Sequence, residues 1–220
     1  MVKNAFDSEL AAKIQASGII AVLVIDNADD AVPLAKTLLA NGVKVMELTL
    51  RTPAAVEALR RIKKEVPEMI AGAGTVLTPA QVDEVFEAGA AFAVAPGLNR
   101  KVIERAKELG LSFAPGVMTP SDIEAGLELG CTLQKFFPAE TTGGLKHLSA
   151  MSAPYKHLGV SFIPLGGLSA ANMNTYLESS LVAAIGGSWI AKQGDIKSNN
   201  WDVIGKNAAE AVAIAKSIKG

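Results

Sequence analysis

The sequence predicts an α/β protein that folds as a (β/α)8 TIM barrel, a single domain over residues 1–220 with a short N-terminal helix. Apolar runs rich in β-branched residues recur about eight times along the chain, and amphipathic helical patterns lie between them. Half of the residues are hydrophobic, which is typical of strands that are buried on both faces. This alternation predicts a parallel sheet covered by helices, and eight such units close naturally into a barrel.

The elements are assigned in chain order from the period of the apolar residues. Strands are predicted at residues 19–25, 43–50, 69–73, 91–95, 111–114, 133–137, 160–165 and 182–185. Helices are predicted at residues 29–40, 53–66, 79–88, 100–109, 120–129, 145–153, 170–178 and 202–218, and residues 195–200 are predicted to be a polar loop. A doubly wound open sheet is the alternative fold, and the lack of a GxGxxG pattern after the first strand disfavours it.

Composition excludes several classes of function. The net charge is −1, from 21 basic and 22 acidic residues, so no basic field is available for a nucleic acid or an anionic membrane. The single cysteine, Cys131, excludes an internal disulfide and a cysteine-built metal site, and two histidines argue against zinc. Residues 1–15 lack the apolar core of a signal peptide and residues 19–25 are too short to span a bilayer, so we expect a cytoplasmic protein.

The second predicted strand carries polar residues in an apolar setting. Glu47, Thr49 and Arg51 share one face of that strand. A carboxylate on an inward face is unfavourable unless it is paired or takes part in chemistry. Glu47 is therefore either a working group or one half of an ion pair with Arg51 that fixes a loop.

Glycine and proline mark the ends of the next three strands. The third ends in Gly72-Ala73-Gly74-Thr75-Val76, where the glycines let backbone approach a ligand and Thr75 offers a hydroxyl beside it. A tight turn with a helix cap is the alternative interpretation of that segment. Ala95-Pro96-Gly97 and Ala114-Pro115-Gly116 are predicted to be rigid turns.

The sixth predicted strand carries Lys135 on the same face as Leu133 and Phe137. A lysine in an apolar strand is rare because a desolvated ammonium is unfavourable. Loss of water favours the neutral amine, which is the form that attacks a carbonyl carbon. The alternative is an exposed lysine on an edge strand, and a closed barrel has no edge.

Paired glycines follow the last two strands, in Leu165-Gly166-Gly167-Leu168-Ser169 and Ile185-Gly186-Gly187-Ser188-Trp189. Both segments would expose backbone N–H groups, and we expect a short helix to begin at Ser188. These groups together would hold a phosphate, and in barrels of this kind the phosphate site often follows strands seven and eight. Two ordinary turns are the alternative.

Taken in order, these segments resemble one family closely: the class I 2-keto-3-deoxy-6-phosphogluconate (KDPG) and 4-hydroxy-2-oxoglutarate (KHG) aldolases. The resemblance runs over nearly the whole chain, and the lysine segment together with the Glu-x-x-x-Arg segment is highly specific. The matching stretches are Glu47-Leu48-Thr49-Leu50-Arg51-Thr52-Pro53, Gly72-Ala73-Gly74-Thr75-Val76-Leu77, Pro96-Gly97, Pro115-Gly116-Val117-Met118-Thr119-Pro120, Lys135-Phe136-Phe137-Pro138-Ala139-Glu140, Gly143-Gly144, Gly166-Gly167 and Gly186-Gly187-Ser188-Trp189.

The resemblance implies a lyase of the Entner–Doudoroff pathway that needs no metal or other cofactor. It would cleave KDPG to pyruvate and glyceraldehyde 3-phosphate, and KHG to pyruvate and glyoxylate. The implied assembly is a homotrimer, and the implied partner is a small phosphorylated keto acid rather than a nucleic acid or a membrane. The implied site residues are Lys135 for the imine, Glu47 as general acid/base, Arg51 and Thr75 for the pyruvate carboxylate, Pro96, Phe137 and Leu165 as pocket walls, and Gly166, Gly167, Gly187 and Ser188 for the phosphate.

Two positions depart from the family's pattern. The family commonly has serine where this chain has Ala95 and threonine where it has Leu165, so a hydroxyl close to the substrate is lost. Gln134 is unusually polar, and we expect its side chain to point away from Lys135 toward the helix layer. Three other functions stay open: an aldolase for 2-dehydro-3-deoxy-6-phosphogalactonate, which differs at C4, a phosphate-binding epimerase or isomerase, and a catalytically silent binding protein.

Overall fold

A computed structural model describes residues 4–219 of the chain, and within that range short parallel strands alternate with helices. The first helix, α1 (Ser8–Ser17), is the predicted N-terminal helix. The Asp7 carboxylate accepts a hydrogen bond from the Leu10 N–H at 2.8 Å, and Gly18 ends the helix with a φ of 68°. Both features satisfy backbone groups that the ends of a helix leave without partners.

The strands form where the sequence has its apolar runs, and every strand pair is parallel. Their bounds are β1 (Ile19–Leu23), β2 (Val45–Thr49), β3 (Ile70–Gly74), β4 (Phe92–Val94), β5 (Ser112–Ala114), β6 (Gly116–Val117), β7 (Leu133–Phe136), β8 (Ser161–Pro164) and β9 (Ile185–Gly187). Each predicted strand overlaps an observed one. The last begins at Ile185 rather than at residue 182, because Val182 makes only an isolated bridge to Phe162.

Amphipathic segments form the helices that cover the strands. They are α2 (Ala31–Ala40), α3 (Ala55–Glu65), α4 (Pro79–Glu87), α5 (Arg100–Leu109), α6 (Pro120–Glu128), α7 (Gly144–Ser152), α8 (Met173–Leu177), α9 (Gln193–Lys197) and α10 (Trp201–Lys219), with 3-10 turns at Ala28–Asp30, Glu140–Thr142 and Ala153–Leu158. The predicted polar loop at residues 195–200 is wrong in its first half, because α9 runs through it and buries Ile196. Within residues 4–219, no helix has both the length and the apolar character needed to cross a membrane.

The strands are divided between two curled sheets in the described part of the chain, not joined in one continuous eight-stranded ladder. Six strands pair in the order β5-β4-β3-β2-β1-β9, and three pair in the order β6-β7-β8. Pro115 separates β5 from β6, because proline has no N–H to donate to a ladder. Gly116 pairs with Lys135, and the Lys135 N–H donates to the Pro115 carbonyl at 2.8 Å. The predicted rigid turn at this proline is therefore only an interruption of the strand.

Hydrogen bonds also cross the other junction between the two sheets, at β8. The Phe162 N–H donates to the Leu181 carbonyl at 2.8 Å, and the Ala183 N–H donates to the Phe162 carbonyl at 2.9 Å. The chain leading into β9 therefore lies against β8, although the ladder there is limited to the single bridge between Phe162 and Val182.

Apolar side chains fill the inside of the curled sheets at one end. This inner core includes Ile20 of β1, Val45 of β2 and Leu133 of β7, and Phe6 and Ile14 pack against them from the N-terminal segment. Because side chains on one face of a strand recur every second residue, the next inward positions on β2 and β7 belong to Glu47 and Lys135. The apolar plug thus places these two polar residues one layer further along, toward the carboxyl ends of the strands.

Candidate active site

A cavity of about 200 Å³ opens at the carboxyl ends of the strands, which is where parallel barrels carry their active sites. Its walls combine one lysine, one glutamate and one arginine with hydroxyl groups, glycines and apolar side chains. The lining residues are Val22, Glu47, Thr49, Arg51, Thr75, Pro96, Lys135, Phe137, Leu165, Gly166, Gly167, Leu168, Gly186 and Ser188. The structure therefore brings together every predicted site residue except Gly187.

Lys135 and Glu47 face each other inside this cavity. Lys135 Nζ lies 3.3 Å from Glu47 Oε1, and the two side chains are only 6% and 2% exposed. The alternative prediction, a loop-fixing ion pair between Glu47 and Arg51, is wrong, because the partner of Glu47 is Lys135 and Arg51 has no ion pair within the described residues. An amine beside a carboxylate can exchange a proton with it, which is the arrangement that activates a lysine nucleophile.

Glycines on neighbouring strands allow close packing around the pair. A Cβ atom added at Gly74 would lie 1.9 Å from Glu47 Oε1, so any larger residue there would displace the carboxylate. A Cβ atom at Gly116, the register partner of Lys135, would lie 2.2 Å from the Pro96 carbonyl oxygen. The Phe137 ring lies on the open side, with its centroid 5.3 Å from Lys135 Nζ. Backbone spacing and an aromatic wall thus fix where the amine can point.

Arg51 and Thr75 provide the polar groups beyond Glu47. Arg51 is exposed at the end of β2 and lines the same cavity. Thr75 has a φ of 60°, an uncommon conformation for a threonine, and it follows Gly74 directly. Strained backbone of this kind is concentrated at functional sites. A guanidinium and a hydroxyl beside a buried amine are suited to holding a carboxylate.

The loop after β8 presents free backbone donors to the cavity. Gly166 and Gly167 have φ values of 99° and 83°, which favour glycine. Within residues 4–219, the backbone N–H groups of Gly166, Gly167, Leu168 and Ser188 have no hydrogen-bond partner. A cluster of free N–H groups on glycine-rich backbone is a site for an anion.

The predicted helix at Ser188 is wrong. Residues 188–191 form bends, and α9 begins only at Gln193. Gly187 does not line the cavity, because a Cβ atom added there would lie 1.7 Å from Trp189, on the other face of β9. Gly186 lines the cavity instead, since it occupies the opposite face of β9.

The loop after β7 is tied to the glycine loop after β8. The Ala139 N–H donates to the Leu165 carbonyl at 2.7 Å, and the Glu140 N–H donates to the Gly166 carbonyl at 3.0 Å. The Tyr176 hydroxyl of α8 donates to Glu140 Oε1. Burial of the phenol, and then its hydrogen bond to this carboxylate, raise the pKa of Tyr176 well above its usual value. The segment that carries the lysine and the segment that carries the free N–H groups are therefore held in one arrangement.

Leu165 forms an apolar wall of the cavity. It is 5% exposed, and a Cβ atom added at Gly186 would lie 2.5 Å from its Cγ atom, so the glycine accommodates the leucine. Ala95 is buried and does not line the cavity. Of the two departures from the family's pattern, only the one at Leu165 changes the wall of the site.

Gln134 lies behind the site, as predicted. Its side chain is fully buried and points toward α6, where its Nε2 atom donates to the Cys131 carbonyl at 2.9 Å and, more weakly, to the Ile123 carbonyl at 3.3 Å. No group of three or more His, Cys, Asp or Glu side chains in the described part of the chain is placed to hold a metal ion.

Four of the lining residues were given no individual role in the prediction from sequence: Val22, Thr49, Leu168 and Gly186. Thr49 shares a strand face with Glu47, and this shared face could have indicated that Thr49 also lines the site. The Thr49 hydroxyl donates to the Leu23 carbonyl at 3.0 Å. Val22 and Leu168 are apolar and resemble any core residue. Gly186 could be distinguished from Gly187 only through the strand register, in which Ile20 pairs with Gly186.

A buried amine–carboxylate pair at the carboxyl ends of parallel strands is suited to an enzyme that uses lysine as its nucleophile. The chain belongs to the KDPG and KHG aldolase family, whose sequence profile matches residues 10–207. It is 46% identical over 198 residues to the KHG/KDPG aldolase of Escherichia coli strain K12, an alignment that covers 90% of this chain and 92% of the relative.

Two solved structures show the same fold at 39% identity. One is the KDPG aldolase of Legionella pneumophila with pyruvate captured at low pH as a covalent carbinolamine intermediate, with a TM-score of 0.87 over 92% of this chain and 97% of that one. The other is the KDPG aldolase of Zymomonas mobilis ZM4 with 3-phosphoglycerate, with a TM-score of 0.84 over 93% of this chain and 95% of that one.

Proposed function

We propose that this protein is a class I aldolase that cleaves KDPG to pyruvate and glyceraldehyde 3-phosphate through an imine on Lys135. The observation that carries the proposal is the 3.3 Å contact between Lys135 Nζ and Glu47 Oε1, on two side chains that are almost fully buried. An epimerase or isomerase would need an acid and a base but no amine at this position. Membership of the family and the likeness to a relative holding a pyruvate carbinolamine support the same chemistry.

The first stage forms the imine. The neutral amine of Lys135 attacks the C2 carbonyl carbon, and the carbonyl oxygen becomes the hydroxyl of a carbinolamine. Glu47 transfers a proton to that hydroxyl, which leaves as water while the nitrogen lone pair forms the C=N bond. The resulting iminium is cationic, and it can accept the electrons of a neighbouring carbon–carbon bond.

The second stage breaks the bond between C3 and C4. The carboxylate of Glu47, directly or through one water, takes the proton of the C4 hydroxyl as the C4–O bond becomes a carbonyl. The electrons of the broken bond move to C3 and form an enamine with the nitrogen. Glyceraldehyde 3-phosphate leaves, C3 takes a proton to regenerate the iminium, and water then releases pyruvate and the free lysine.

The two anionic ends of the substrate fit opposite sides of the cavity. Arg51 and Thr75 would hold the C1 carboxylate beside the imine, since a guanidinium pairs well with a carboxylate. The free N–H groups of Gly166, Gly167 and Ser188 would hold the phosphate. Gly186 takes the lining position that the sequence assigned to Gly187. Pro96, Phe137 and Leu165 enclose the carbon chain between these ends.

Two other substrates fit the same chemistry. KHG needs the lysine and the carboxylate site but not the phosphate site, and the E. coli relative is named for both activities. The C4 epimer, 2-dehydro-3-deoxy-6-phosphogalactonate, is also expected to be accepted, because the alkyl wall of Leu165 cannot hydrogen-bond the C4 hydroxyl and so cannot select its configuration by that contact. We therefore expect kcat/KM on the two epimers to differ by less than about 100-fold.

We also propose how the strands close and how the subunits assemble. The hydrogen bonds at both junctions between the sheets support one closed (β/α)8 barrel that forms a single domain.

Leu77, Phe86 and Met118 are exposed by 38% or more, and they lie in or near the loops after β3 and β6 and on α4. Exposed apolar side chains are available for contacts between subunits, and the resemblance to the family supports a homotrimer, which predicts a mass in solution of three times 22.8 kDa; a stable monomer would contradict it.

A coupled assay of pyruvate release tests the function. We expect Lys135→Met to lose all measurable cleavage of KDPG, and Glu47→Gln to lose about 10²- to 10⁴-fold in kcat, the usual contribution of a general acid/base. Glu57→Gln on the outside of α3 is the matched control and should stay within about twofold of the wild type. Cleavage by Lys135→Met at the wild-type rate, or epimerase activity that persists in it, would contradict the proposal.

A further inference from the structure

A second and larger cavity lies at the opposite end of the strands. It has a volume of about 370 Å³, within the range of cavities that bind small molecules. The end of α1, the start of β2 and β3, and the last turns of α10 surround it. Its lining residues are Lys13, Ala16, Ser17, Gly42, Lys44, Glu68, Ile70, Val212, Ala215, Lys216 and Lys219. None of them lines the cavity that holds Lys135 and Glu47.

The charge of this cleft differs from that of the whole protein. Four lysines and one glutamate line it, a formal charge of +3, whereas the complete chain carries −1. Lys13 is paired with Glu9 at 2.7 Å. Among the described residues, Lys44, Lys216 and Lys219 have no carboxylate within 4.0 Å. Like charges close together disfavour one another, so the three lysines attract an anion.

Lys219 is the most informative member of the cluster. Its ammonium is partly buried and donates to the Val182 carbonyl at 2.9 Å, and burial lowers its pKa. An ammonium has three donors, and this one is partly desolvated with no carboxylate within 4.0 Å among residues 4–219. A ligand that supplied a carboxylate or phosphate oxygen would compensate that loss.

The structure points to a second ligand site: we propose that this cleft binds a small organic polyanion, held by Lys44, Lys216 and Lys219 and packed on an apolar floor. Ile70, Val212 and Ala215 form that floor, which favours an anion with a carbon skeleton over inorganic phosphate. The volume suits a di- or tricarboxylate or a phosphorylated acid of about three to six carbons. This site is separate from the proposed catalytic cavity and does not depend on the aldolase assignment.

Calorimetric titration with citrate, at low ionic strength and with the full-length protein, tests the site. We expect Lys44→Gln and Lys216→Gln each to weaken binding by about 10-fold, the usual effect of one charge-assisted hydrogen bond. Lys206→Gln removes the same charge from an exposed position of α10 that does not line the cleft, and it should bind within about twofold of the wild type. All three variants should keep the wild-type rate of pyruvate release.

Other outcomes of the titration would overturn the site. They are a wild type that does not bind citrate up to about 10 mM, cleft variants that bind as tightly as Lys206→Gln, and binding that is lost in Arg51→Gln but kept in the cleft variants. The last result would place citrate in the catalytic cavity. Lys44 and Lys216 are exposed, so their substitution should not disturb folding, and an unchanged thermal unfolding midpoint verifies this.

Discussion

Lys135 and Glu47 are buried together, and each lowers the cost of burying the other. A single ionisable side chain buried to this extent would be strongly disfavoured, whereas a pair in contact offsets much of its desolvation. The 3.3 Å separation of Lys135 Nζ and Glu47 Oε1 also allows a proton to pass between them. The same contact thus explains why the protein tolerates the pair and how the pair can do chemistry.

Leu165 is the residue at which we expect substitution to improve selectivity. Leu165→Thr returns a hydroxyl to the wall opposite Gly186, and we predict that turnover of KDPG is preserved or raised and that the preference between the two C4 epimers increases. The cost is a loss of about 1–3 kcal/mol in the free energy of unfolding, because apolar burial is lost. Steady-state rates on both epimers, with urea unfolding, measure these effects. A large loss of turnover without unfolding would mean that the pocket is built around the leucine.

The sequence alone could identify polar and charged residues that lie in apolar surroundings. Glu47 and Lys135 are charged groups in apolar strands, and Arg51 and Thr75 follow at strand ends, so all four were predictable. Residues that differ only in the strand face that they occupy could not be predicted. Choosing Gly186 over Gly187 requires the register with β1, a long-range contact that local pattern does not encode.

Two loops form one element of the site. The segment after β7 carries Ala139 and Glu140, and both N–H groups bond to the glycine loop after β8. A Cβ atom added at Gly167 would lie 2.6 Å from the Cβ of Glu140, so the loops also pack closely. We therefore expect the position of the phosphate donors to depend on Glu140 and on Tyr176, which holds it.

Tyr176→Phe tests that dependence. The variant removes the hydroxyl that donates to Glu140 and keeps the buried ring. We predict that KM for KDPG rises by about 5- to 10-fold, as expected for a lost hydrogen bond to a charged group, while KM for KHG, which has no phosphate, changes by less than about twofold. Tyr155→Phe, which removes the exposed hydrogen bond to Glu124, is the control. Equal changes in both KM values would show a general disturbance of the cavity.

Helices and strands were predictable where periodicity was long and uninterrupted. The sequence bounds of α5 match the structure at both ends, because Asn99 caps its start and Gly110 ends it. Short or interrupted elements were not predictable: Pro115 breaks a strand that resumes at Gly116, and α9 is a five-residue helix in a polar segment. The prediction of a helix at Ser188 was wrong because a glycine pair indicates a turn but does not determine the conformation of the residues after it.

At the scale of the molecule, the apolar plug determines where the chemistry can occur. Phe6 and Ile14 fill the amino-terminal end of the curled sheets, so polar inward residues are confined to the other end. The alternation of strands and helices was enough to predict this general layout. The contacts between the two sheets were harder to predict, because they depend on the few hydrogen bonds at Pro115 and Phe162.

Cys131 offers a probe of the whole fold. It is fully buried, and burial raises the pKa of its thiol from 9.0 to about 12. The folded state therefore keeps the thiol proton at a pH where the unfolded state has lost it, so this contribution to stability is complete below pH 9 and declines as the pH rises toward 12. We predict that between about pH 8 and pH 10 the wild type loses about 1 kcal/mol more stability than Cys131→Ala.

Urea unfolding of both proteins at the two pH values measures that difference. Comparing each protein with itself cancels the constant effect of removing the side chain, and the other titrating groups are shared. Thiol labelling at about pH 8 should also require unfolding, since the reactive thiolate is suppressed in the native state. Rapid labelling of the native protein, or parallel losses in both proteins, would contradict the buried placement of Cys131.

Reduction of the enzyme with borohydride in the presence of pyruvate tests the central claim most directly. The imine on Lys135 would be trapped as a stable secondary amine, and peptide mass spectrometry would find the reduced pyruvyl group on the peptide containing Lys135, with loss of activity in proportion to labelling. Lys44 and Lys219 are internal controls that should stay unmodified. An active enzyme that carries no adduct at Lys135 after this treatment would contradict the imine mechanism.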